Sequence, residues 1–233
     1  MQIKGLEKFT LIDYPEKIAC IVFLFGCNFR CGFCHNPELV LEATNESISR
    51  EEVLDFLEKR KGQLEGVCIT GGEPLLSLKL DFLKSIRDMD YDIKIDTNGS
   101  FPDRLREIIN SELVDFIAMD LKADKENYNL VTGVEIDLAK IEESVKLISK
   151  FKDYEFRTTV VEDIHSKESM KAMGEWIYYL LGKKPKKLAL QGFRNAGKVL
   201  DKDFEKKKNT SEKYLNELKE IMQNYFEKVE VRI

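Results

Sequence analysis

The residues best suited to chemistry in this chain are three cysteines on one short stretch, Cys27, Cys31 and Cys34. Three residues separate the first two cysteines, and two residues separate the second from the third. The apolar run IACIVFLF over 18–25 comes directly before them and predicts a buried strand. The three thiols are therefore expected on a loop that follows a strand end.

Three thiolates fit two kinds of metal site. A structural zinc site takes four ligands, commonly as two spaced pairs, and no second pair follows here. His35 is adjacent to Cys34, a poor spacing for a tetrahedron, while Cys20 and Cys68 lie in apolar runs typical of core cysteines. An iron–sulfur cluster fits better because soft thiolates suit it, and three cysteines leave one iron of a four-iron cubane open. The alternative is a redox-inactive zinc knuckle or a chance group of core cysteines.

The spacing C-x3-C-x2-C, with Phe33 before the last cysteine, resembles the signature of the radical S-adenosylmethionine enzymes. This resemblance implies a 4Fe-4S cluster on Cys27, Cys31 and Cys34, whose open iron is chelated by the amino and carboxylate groups of S-adenosylmethionine. It also implies reductive cleavage of the sulfonium to methionine and a 5′-deoxyadenosyl radical.

Composition favours one large domain, because the chain has 233 residues of which 43% are hydrophobic. We expect a single domain over 1–233, with a lead-in over 1–17, a partial barrel over 18–200, and a helix and short strand over 201–233. The net charge of −5 is dispersed, which argues against a nucleic-acid partner. A polar start and the lack of an apolar run of about 20 residues predict neither a signal peptide nor a membrane span. Five cysteines, three of them clustered, indicate a reducing, cytoplasmic setting. The expected iron–sulfur cluster would also need low oxygen.

Apolar runs that read as strands alternate with helical patterns, which predicts an α/β fold with a parallel sheet and helical crossovers. Six such strands are predicted over 18–25, 66–70, 91–95, 114–119, 154–161 and 187–190, and a short last strand over 229–233. The helices are predicted to open at the Ser49-x-x-Glu52 capping box and to cover 75–89, 102–113, 138–151, 166–181 and 214–226. We expect a connector over 37–45, a polar loop at Tyr128 and a charged, solvated loop over 201–212. A partial, TIM-like (β/α)6 barrel also resembles the fold of the radical superfamily.

Glycines and polar residues gather where these strands end, the position that carries the chemistry in barrels of this kind. The second strand ends in Gly71, Gly72, Glu73 and Pro74. Adjacent glycines let the backbone turn sharply and approach a ligand closely, although an ordinary strand-to-helix turn is the alternative. GGEP resembles the second motif of the superfamily, which implies that this loop binds the amino group of the methionine moiety and that Glu73 shapes it.

Oxygen ligands follow two further strands. Asp96, Thr97 and Asp120 could hold a hard cation, and Lys122 could hold a carboxylate, although turn residues and a solvated lysine are the alternative. The pattern DTNG followed by DLK resembles the glycyl-radical-enzyme activases. That resemblance implies that Lys122 contacts the carboxylate of S-adenosylmethionine, and that Asp96, Thr97 and Asp120 can hold a monovalent cation beside it.

The same resemblance implies that Phe33 packs on the adenine and that the backbone of His35 meets its edge. His165, at a strand-to-helix turn, is interpreted as structural. The remaining candidates for contacts to the ribose, the cofactor or a partner peptide are Gln191, Arg194 and Arg157. For Arg157, a salt bridge at the edge of the core is an equal alternative.

Asp13-Tyr14-Pro15, GCNFRCGFCHNP, GGEP, DTNG and DLK follow one another in the order seen in one group. The chain resembles the activating proteins of anaerobic ribonucleoside-triphosphate reductase, in their full-barrel form. This implies hydrogen abstraction from a backbone glycine of the reductase, a stored glycyl radical, and a ferredoxin or flavodoxin as reductant. Glu16 departs from the group, because glycine is common at that position.

Three alternatives stay open. The first is an activase of another glycyl radical enzyme, of the pyruvate formate-lyase type. The second is a small-molecule radical enzyme such as a 7-carboxy-7-deazaguanine synthase. The third is an electron-transfer or zinc protein that never cleaves S-adenosylmethionine, although such a protein has no need of GGEP or D-x-K.

Overall fold

The computed structural model describes residues 1–41 and 47–233. The chain divides into two compact units. Unit 1 comprises Met1–Asn28, Glu38–Thr97 and Asp103–Ile117, and unit 2 comprises Phe29–Pro37, Asn98–Pro102 and Ala118–Ile233. The single domain expected over 1–233 stays a prediction.

The strands of unit 1 lie side by side in chain order. They are β1 Ile3–Thr10, β2 Ala19–Leu24, β3 Gly66–Gly71 and β4 Asp92–Thr97. β1 runs antiparallel to β2, whereas β2, β3 and β4 are parallel to one another. All but one residue of β2 is buried, as the continuous apolar run predicts for a strand covered on both faces. The expected lead-in over 1–17 therefore contains an edge strand.

The last three strands of unit 2 are parallel and in chain order. β5 Phe116–Asp120 begins in unit 1 and ends in unit 2, and it is followed by β6 Tyr154–Val160, β7 Lys187–Gly192 and β8 Lys228–Arg232. β7 pairs in parallel with both β6 and β8. The six strands predicted between residues 18 and 190 and the short last strand are confirmed, with shifts of a few residues at their ends.

Eight α-helices connect these strands in the described part of the chain. They are α1 Pro37–Val40, α2 Arg50–Lys59, α3 Leu80–Arg87, α4 Pro102–Asn110, α5 Tyr128–Thr132, α6 Leu138–Ile148, α7 Lys167–Leu181 and α8 Glu212–Met222. The predicted capping box opens α2, because the Ser49 side chain accepts from the Glu52 amide and the Glu52 carboxylate accepts from the Ser49 amide. Within the described residues, no helix is long and apolar enough to cross a lipid bilayer.

The helix predicted over 75–89 is wrong at its start, since α3 begins at Leu80. Residues Pro74–Leu76 form a 3₁₀ turn instead. The Glu73 carboxylate accepts from the Leu75 amide at 3.0 Å, and this cap closes the turn before α3 can begin. A buried carboxylate therefore decides where the helix starts.

Three predicted loops contain short helices. α5 replaces the polar loop at Tyr128, Lys202–Lys206 is a 3₁₀ helix inside the loop predicted over 201–212, and α1 occupies the start of the connector predicted over 37–45. Residues 42–45 of that connector lie outside the described residues. Elements of about one turn carry no helical period, which is why the sequence pattern does not predict them. Tertiary burial stabilises α1 and α5, whereas Lys202–Lys206 has no buried residue.

A buried carboxylate joins the last three strands of unit 2, β6, β7 and β8. Glu155 on β6 is 1% exposed and accepts two hydrogen bonds from Arg232 on β8, at 2.9 and 2.6 Å. Lys187 on β7 lies 3.2 Å from the same carboxylate. Burial alone raises the pKa of Glu155, but the hydrogen bonds and charge of Arg232, with Lys187 nearby, lower it overall.

We expect Glu155→Gln to lower the free energy of unfolding at neutral pH by about 2 kcal/mol, because the hydrogen bonds of Arg232 lose a buried, charged acceptor. Among the residues that the structure describes, Arg232 and Lys187, both partly buried, then keep only Glu230 as a counter-charge. The deficit shrinks as the pH falls through the folded pKa of Glu155. A carboxyl with a lowered pKa stabilises the fold above its unfolded pKa of about 4.3 and loses that contribution on protonation. Urea denaturation across pH measures this, with Glu227→Gln at an exposed position as the matched control. A deficit that does not change with pH would contradict this account.

Candidate cofactor site

The three-cysteine loop, residues 27–34, follows β2 directly, as predicted. Cys27 is half-buried at the end of one segment of unit 1, while Cys31, buried, and Cys34, half-buried, belong to unit 2. None of the five cysteines forms a disulfide bond. The Cys34 amide donates to the Cys31 carbonyl at 3.0 Å, which closes a tight turn between them. The loop therefore presents reduced sulfur ligands.

In unit 2, a segment from far along the chain packs on this loop. The Leu200 amide donates to the Cys34 carbonyl and the Asp201 amide to the Gly32 carbonyl, both at 3.0 Å. A Cβ at Gly32 would lie 2.4 Å from the ring of Phe204, so only glycine fits beneath that ring. Our sequence reasoning missed this contact because 201–212 is strongly charged. The single aromatic residue in that stretch, Phe204, was the available signal.

Phe33 is buried in an aromatic cluster of unit 2. Its ring centroid lies 6.4 Å from His165 and 6.1 Å from Phe204. His165 accepts from the Val161 amide at 3.0 Å and donates to the Lys122 carbonyl at 2.8 Å, and burial lowers its pKa. These contacts confirm the structural interpretation of His165. The adenine contact of Phe33 stays a prediction.

His35 is anchored by two contacts within unit 2. Its Nε2 donates to the carbonyl of Arg194 at 2.6 Å, and its ring stacks on Phe193 with centroids 5.4 Å apart. The side chain therefore holds the end of the three-cysteine loop, which leaves the backbone as the part expected at the adenine edge. Gln191 lies half-buried at the end of β7, in register with Thr159 of β6.

The GGEP loop is held by close backbone contacts inside unit 1. Gly71 has φ of 124°, and a Cβ there would lie 2.3 Å from the carbonyl oxygen of Leu24. A Cβ at Gly72 would lie 2.1 Å from the carbonyl oxygen of Gly26. The Glu73 amide donates to that same carbonyl at 2.7 Å. Both positions therefore require glycine, and the loop lies against the residue that precedes Cys27.

Glu73 is a fully buried carboxylate that links two strand ends of unit 1. Its Oε1 accepts from the Leu75 amide at 3.0 Å and from the Thr97 hydroxyl at 2.8 Å. Pro74, also buried, begins the 3₁₀ turn that follows. These contacts are those expected of a residue that shapes the loop.

A second buried charge lies on β4. Lys94 and Asp96 are two residues apart and therefore face the same side of the strand. The side chains are 1% and 14% exposed, and the Lys94 ammonium donates to the Asp96 carboxylate. Sequence reasoning selected Asp96 and missed Lys94. The signal was a lysine between two isoleucines in the run DIKIDT.

Asp120, at the end of β5, forms a three-residue ion network in unit 2. Its carboxylate accepts from Lys122 at 2.9 Å and from Arg157 at 3.1 Å. Burial raises the pKa of Asp120, but the charges and hydrogen bonds of Lys122 and Arg157 outweigh this effect and lower the pKa to about 2. The pKa of Lys122 is raised because the Asp120 charge outweighs burial. Lys122 is 14% exposed, which excludes a solvated lysine. Arg157 forms a salt bridge with Asp120, which is one of the two equal alternatives for its role.

Among the described residues, no three His, Cys, Asp or Glu side chains are grouped so as to hold a single metal ion. A cubane cluster makes a different demand, because its cysteines bind separate iron atoms rather than one centre. The donor chemistry of the three-cysteine loop, three cysteines on one short stretch and outside any disulfide, fits such a cluster.

A family model described as the Radical SAM superfamily matches residues 21–177. The chain belongs to this superfamily. Radical S-adenosylmethionine enzymes use a 4Fe-4S cluster and S-adenosylmethionine, so the prediction of both cofactors and of enzyme activity is confirmed.

Several similar proteins are named as activating enzymes. MJ1227 of Methanocaldococcus jannaschii, named as a candidate glycyl-radical enzyme activating enzyme, is 29% identical over 240 residues, with 99% of this chain and 95% of that protein aligned. The pyruvate formate-lyase-activating enzyme of Clostridium pasteurianum is 32% identical over 139 residues, which cover 57% of each chain. The predicted likeness to the activase group is confirmed.

The fold has a solved counterpart. A domain of pyruvate formate-lyase-activating enzyme from Bacteroides vulgatus superposes with a TM-score of 0.57 and 21% identity, covering 72% of this chain and 98% of that one. At 21% sequence identity, this similarity is evidence for the fold alone. It confirms the predicted α/β fold class of the radical S-adenosylmethionine enzymes.

We expect Lys122→Ala to weaken binding of S-adenosylmethionine by about 10- to 100-fold, the range for loss of one charge-assisted hydrogen bond. Asp120 retains Arg157, so the fold and the cluster should survive. Equilibrium binding to the reconstituted protein measures the effect, with Lys140→Ala at an exposed position as control. Unchanged affinity with an intact cluster would refute the carboxylate-binding role.

Cys27→Ala should abolish the intact cluster, because a cubane loses one of its three protein ligands. Iron and sulfide analysis with the visible absorption of the reconstituted protein provides the readout. Cys20→Ala, which removes a thiol buried in β2, is the matched control and should retain the cluster. A full cluster in the Cys27 variant would overturn the ligand assignment.

Proposed function

We propose that this chain is a glycyl-radical-enzyme activase, with Cys27, Cys31 and Cys34 as ligands of its 4Fe-4S cluster. One observation carries the proposal. The chain aligns with MJ1227 over 99% of its own length, and its sequence contains the three-cysteine loop, GGEP, DTNG and DLK in the activase order. Its partner, we propose further, is anaerobic ribonucleoside-triphosphate reductase, because CHNP and Asp13-Tyr14-Pro15 resemble the group that activates that enzyme.

When bound, the cluster supplies the electron that cleaves the sulfonium of S-adenosylmethionine. The residues of this chain bind and orient the cofactor. The GGEP loop offers backbone carbonyls at the end of β3 to the amino group, and Lys122 offers an ammonium to the carboxylate. Phe33 and the backbone of His35 bind the adenine, and Gln191 is the candidate for the ribose. A ferredoxin or flavodoxin is the proposed reductant.

Buried charges support these roles. The Lys122 ammonium donates to Asp120, and the Lys122 carbonyl accepts from His165. Both the ammonium and the backbone of Lys122 are therefore fixed before the cofactor binds. Glu73 fixes the GGEP loop through Leu75 and Thr97. Such prior ordering lowers the entropic cost of binding, which is the expected role of residues around a reactive cofactor.

The second candidate is an activase of the pyruvate formate-lyase type. The alignment with the enzyme from Clostridium pasteurianum favours it, although that alignment covers 57% of the chain. The two candidates share the chemistry and differ in the protein whose glycine is oxidised.

The proposal is tested anaerobically with protein reconstituted with iron and sulfide. Dithionite and S-adenosylmethionine are added, and 5′-deoxyadenosine is quantified. The reaction is repeated with the host's anaerobic ribonucleotide reductase and, separately, with a pyruvate formate-lyase. Electron paramagnetic resonance then detects a glycyl radical, and a reductase variant with alanine at the radical glycine is the matched control.

We expect 5′-deoxyadenosine in every complete reaction and a glycyl radical on the reductase but not on its alanine variant. A radical on the lyase alone would assign the second candidate. Cleavage without a radical on either protein would contradict both partners. A protein with a full cluster that makes no 5′-deoxyadenosine would refute the activase function itself.

A further inference from the structure

We propose that Lys94 supplies the positive charge beside Asp96, in place of the monovalent cation predicted from the sequence for Asp96, Thr97 and Asp120. Cofactor binding by this chain then requires no added Na⁺ or K⁺. The proposal rests on the proposed function for the identity of the cofactor, whereas the placement of the ammonium is independent of it.

Burial fixes the position of this ammonium. The Lys94 side chain is 1% exposed, and an unpaired ammonium at that depth would cost several kcal/mol. Its hydrogen bond goes to the Asp96 carboxylate, which is itself 14% exposed. The pair lies on one face of β4, so the strand geometry holds the ammonium against the carboxylate.

The cross-strand neighbour of Lys94 on β3 does not compete for this charge. Cys68 of β3 is in register with Lys94. Burial raises the pKa of the Cys68 thiol to about 12, although the Lys94 charge opposes the shift. The thiol is therefore neutral at physiological pH, and the ammonium keeps Asp96 as its carboxylate partner.

A metal cation at Asp96 would face repulsion from Lys94. Two like charges about 4 Å apart repel by about 4 kcal/mol at the effective dielectric of a protein surface, and more where water is excluded. That repulsion cancels the attraction of a single carboxylate for the ion. Lys94 thereby holds and neutralises the Asp96 carboxylate in the place of a metal ion, which makes Lys94 a positioning residue.

Asp120 shows the same arrangement in its own unit. Its carboxylate already accepts from two cationic side chains, Lys122 and Arg157. Each of the two carboxylates predicted as cation ligands is therefore matched by cations of the chain. This internal neutralisation disfavours a metal ion at either one.

The test compares the wild-type protein with Lys94→Met, which keeps the length of the side chain and removes its charge. Reconstituted proteins are prepared in tetramethylammonium buffer, whose cation is too large for a carboxylate site, with and without K⁺. Two quantities are measured: the Kd of S-adenosylmethionine, and the binding of thallium(I), a K⁺ substitute, by thallium NMR. Lys84→Met, at an exposed position on α3, is the matched control.

We expect the wild type and Lys84→Met to bind S-adenosylmethionine with the same Kd in both buffers and to show no saturable thallium site. Lys94→Met should bind the cofactor about tenfold more weakly without K⁺, recover with K⁺, and gain a thallium site, because one buried charge is now missing. Lys94→Met/Asp96→Asn, which removes both charges, should lose the dependence on K⁺ again.

A wild type that needs K⁺, or that binds thallium saturably, would overturn the proposal. So would a folded Lys94→Met that neither responds to K⁺ nor binds thallium. If Lys94→Met fails to fold, the wild type and the double variant still decide the question. If no variant binds S-adenosylmethionine, the proposed function fails, while the thallium measurement continues to test the role of Lys94.

Discussion

Burial of charge is the constraint on which the rest of this structure depends. The ends of the central strands carry charged side chains at low exposure, and each has a charged or hydrogen-bonded partner. Asp120 holds Lys122 and Arg157, Lys94 holds Asp96, and Glu73 accepts from a backbone amide and a hydroxyl. Leaving any of these groups without its partner would cost several kcal/mol, so each network fixes the backbone that carries it. This free-energy cost explains why the polar side chains at these positions are already ordered before a ligand binds.

Close backbone packing complements these charges. Gly71 and Gly72 bring the end of β3 against Leu24 and Gly26, so the GGEP loop and the start of the three-cysteine loop are held by direct hydrogen bonds. In unit 2, the ring of Phe204 covers Gly32 in the same manner. Glycine is required at these contacts because a side chain would collide with a carbonyl or a ring. The loops that would hold the cofactor are thereby supported by main-chain contacts, which depend little on side-chain freedom.

Membership of the radical SAM superfamily gives these features a common purpose. A reactive cofactor needs fixed ligands, a fixed orientation and limited access of water. Three cysteines outside any disulfide, a glycine loop at a strand end and a buried ammonium are groups that suit such a cofactor. Whether the oxidised glycine belongs to a ribonucleotide reductase or to another enzyme depends on surface recognition, which lies beyond these buried groups.

The sequence by itself determined the features that depend on neighbours along the chain. Cys27, Cys31 and Cys34 share a loop whatever the remaining chain does, and the apolar run before them forms a strand because every side chain in it can be buried. GGEP, Asp96 and Lys122 were placed at strand ends by the same local patterns. Tertiary structure alone decided the contacts between distant segments, such as Leu200 and Phe204 on the three-cysteine loop or Arg157 on Asp120. The positions of the short helices also depend on the tertiary structure, because one turn of helix has no periodic pattern in the sequence. The Lys94 ion pair depends on it as well, because Lys94 is buried only when the surrounding strands are assembled.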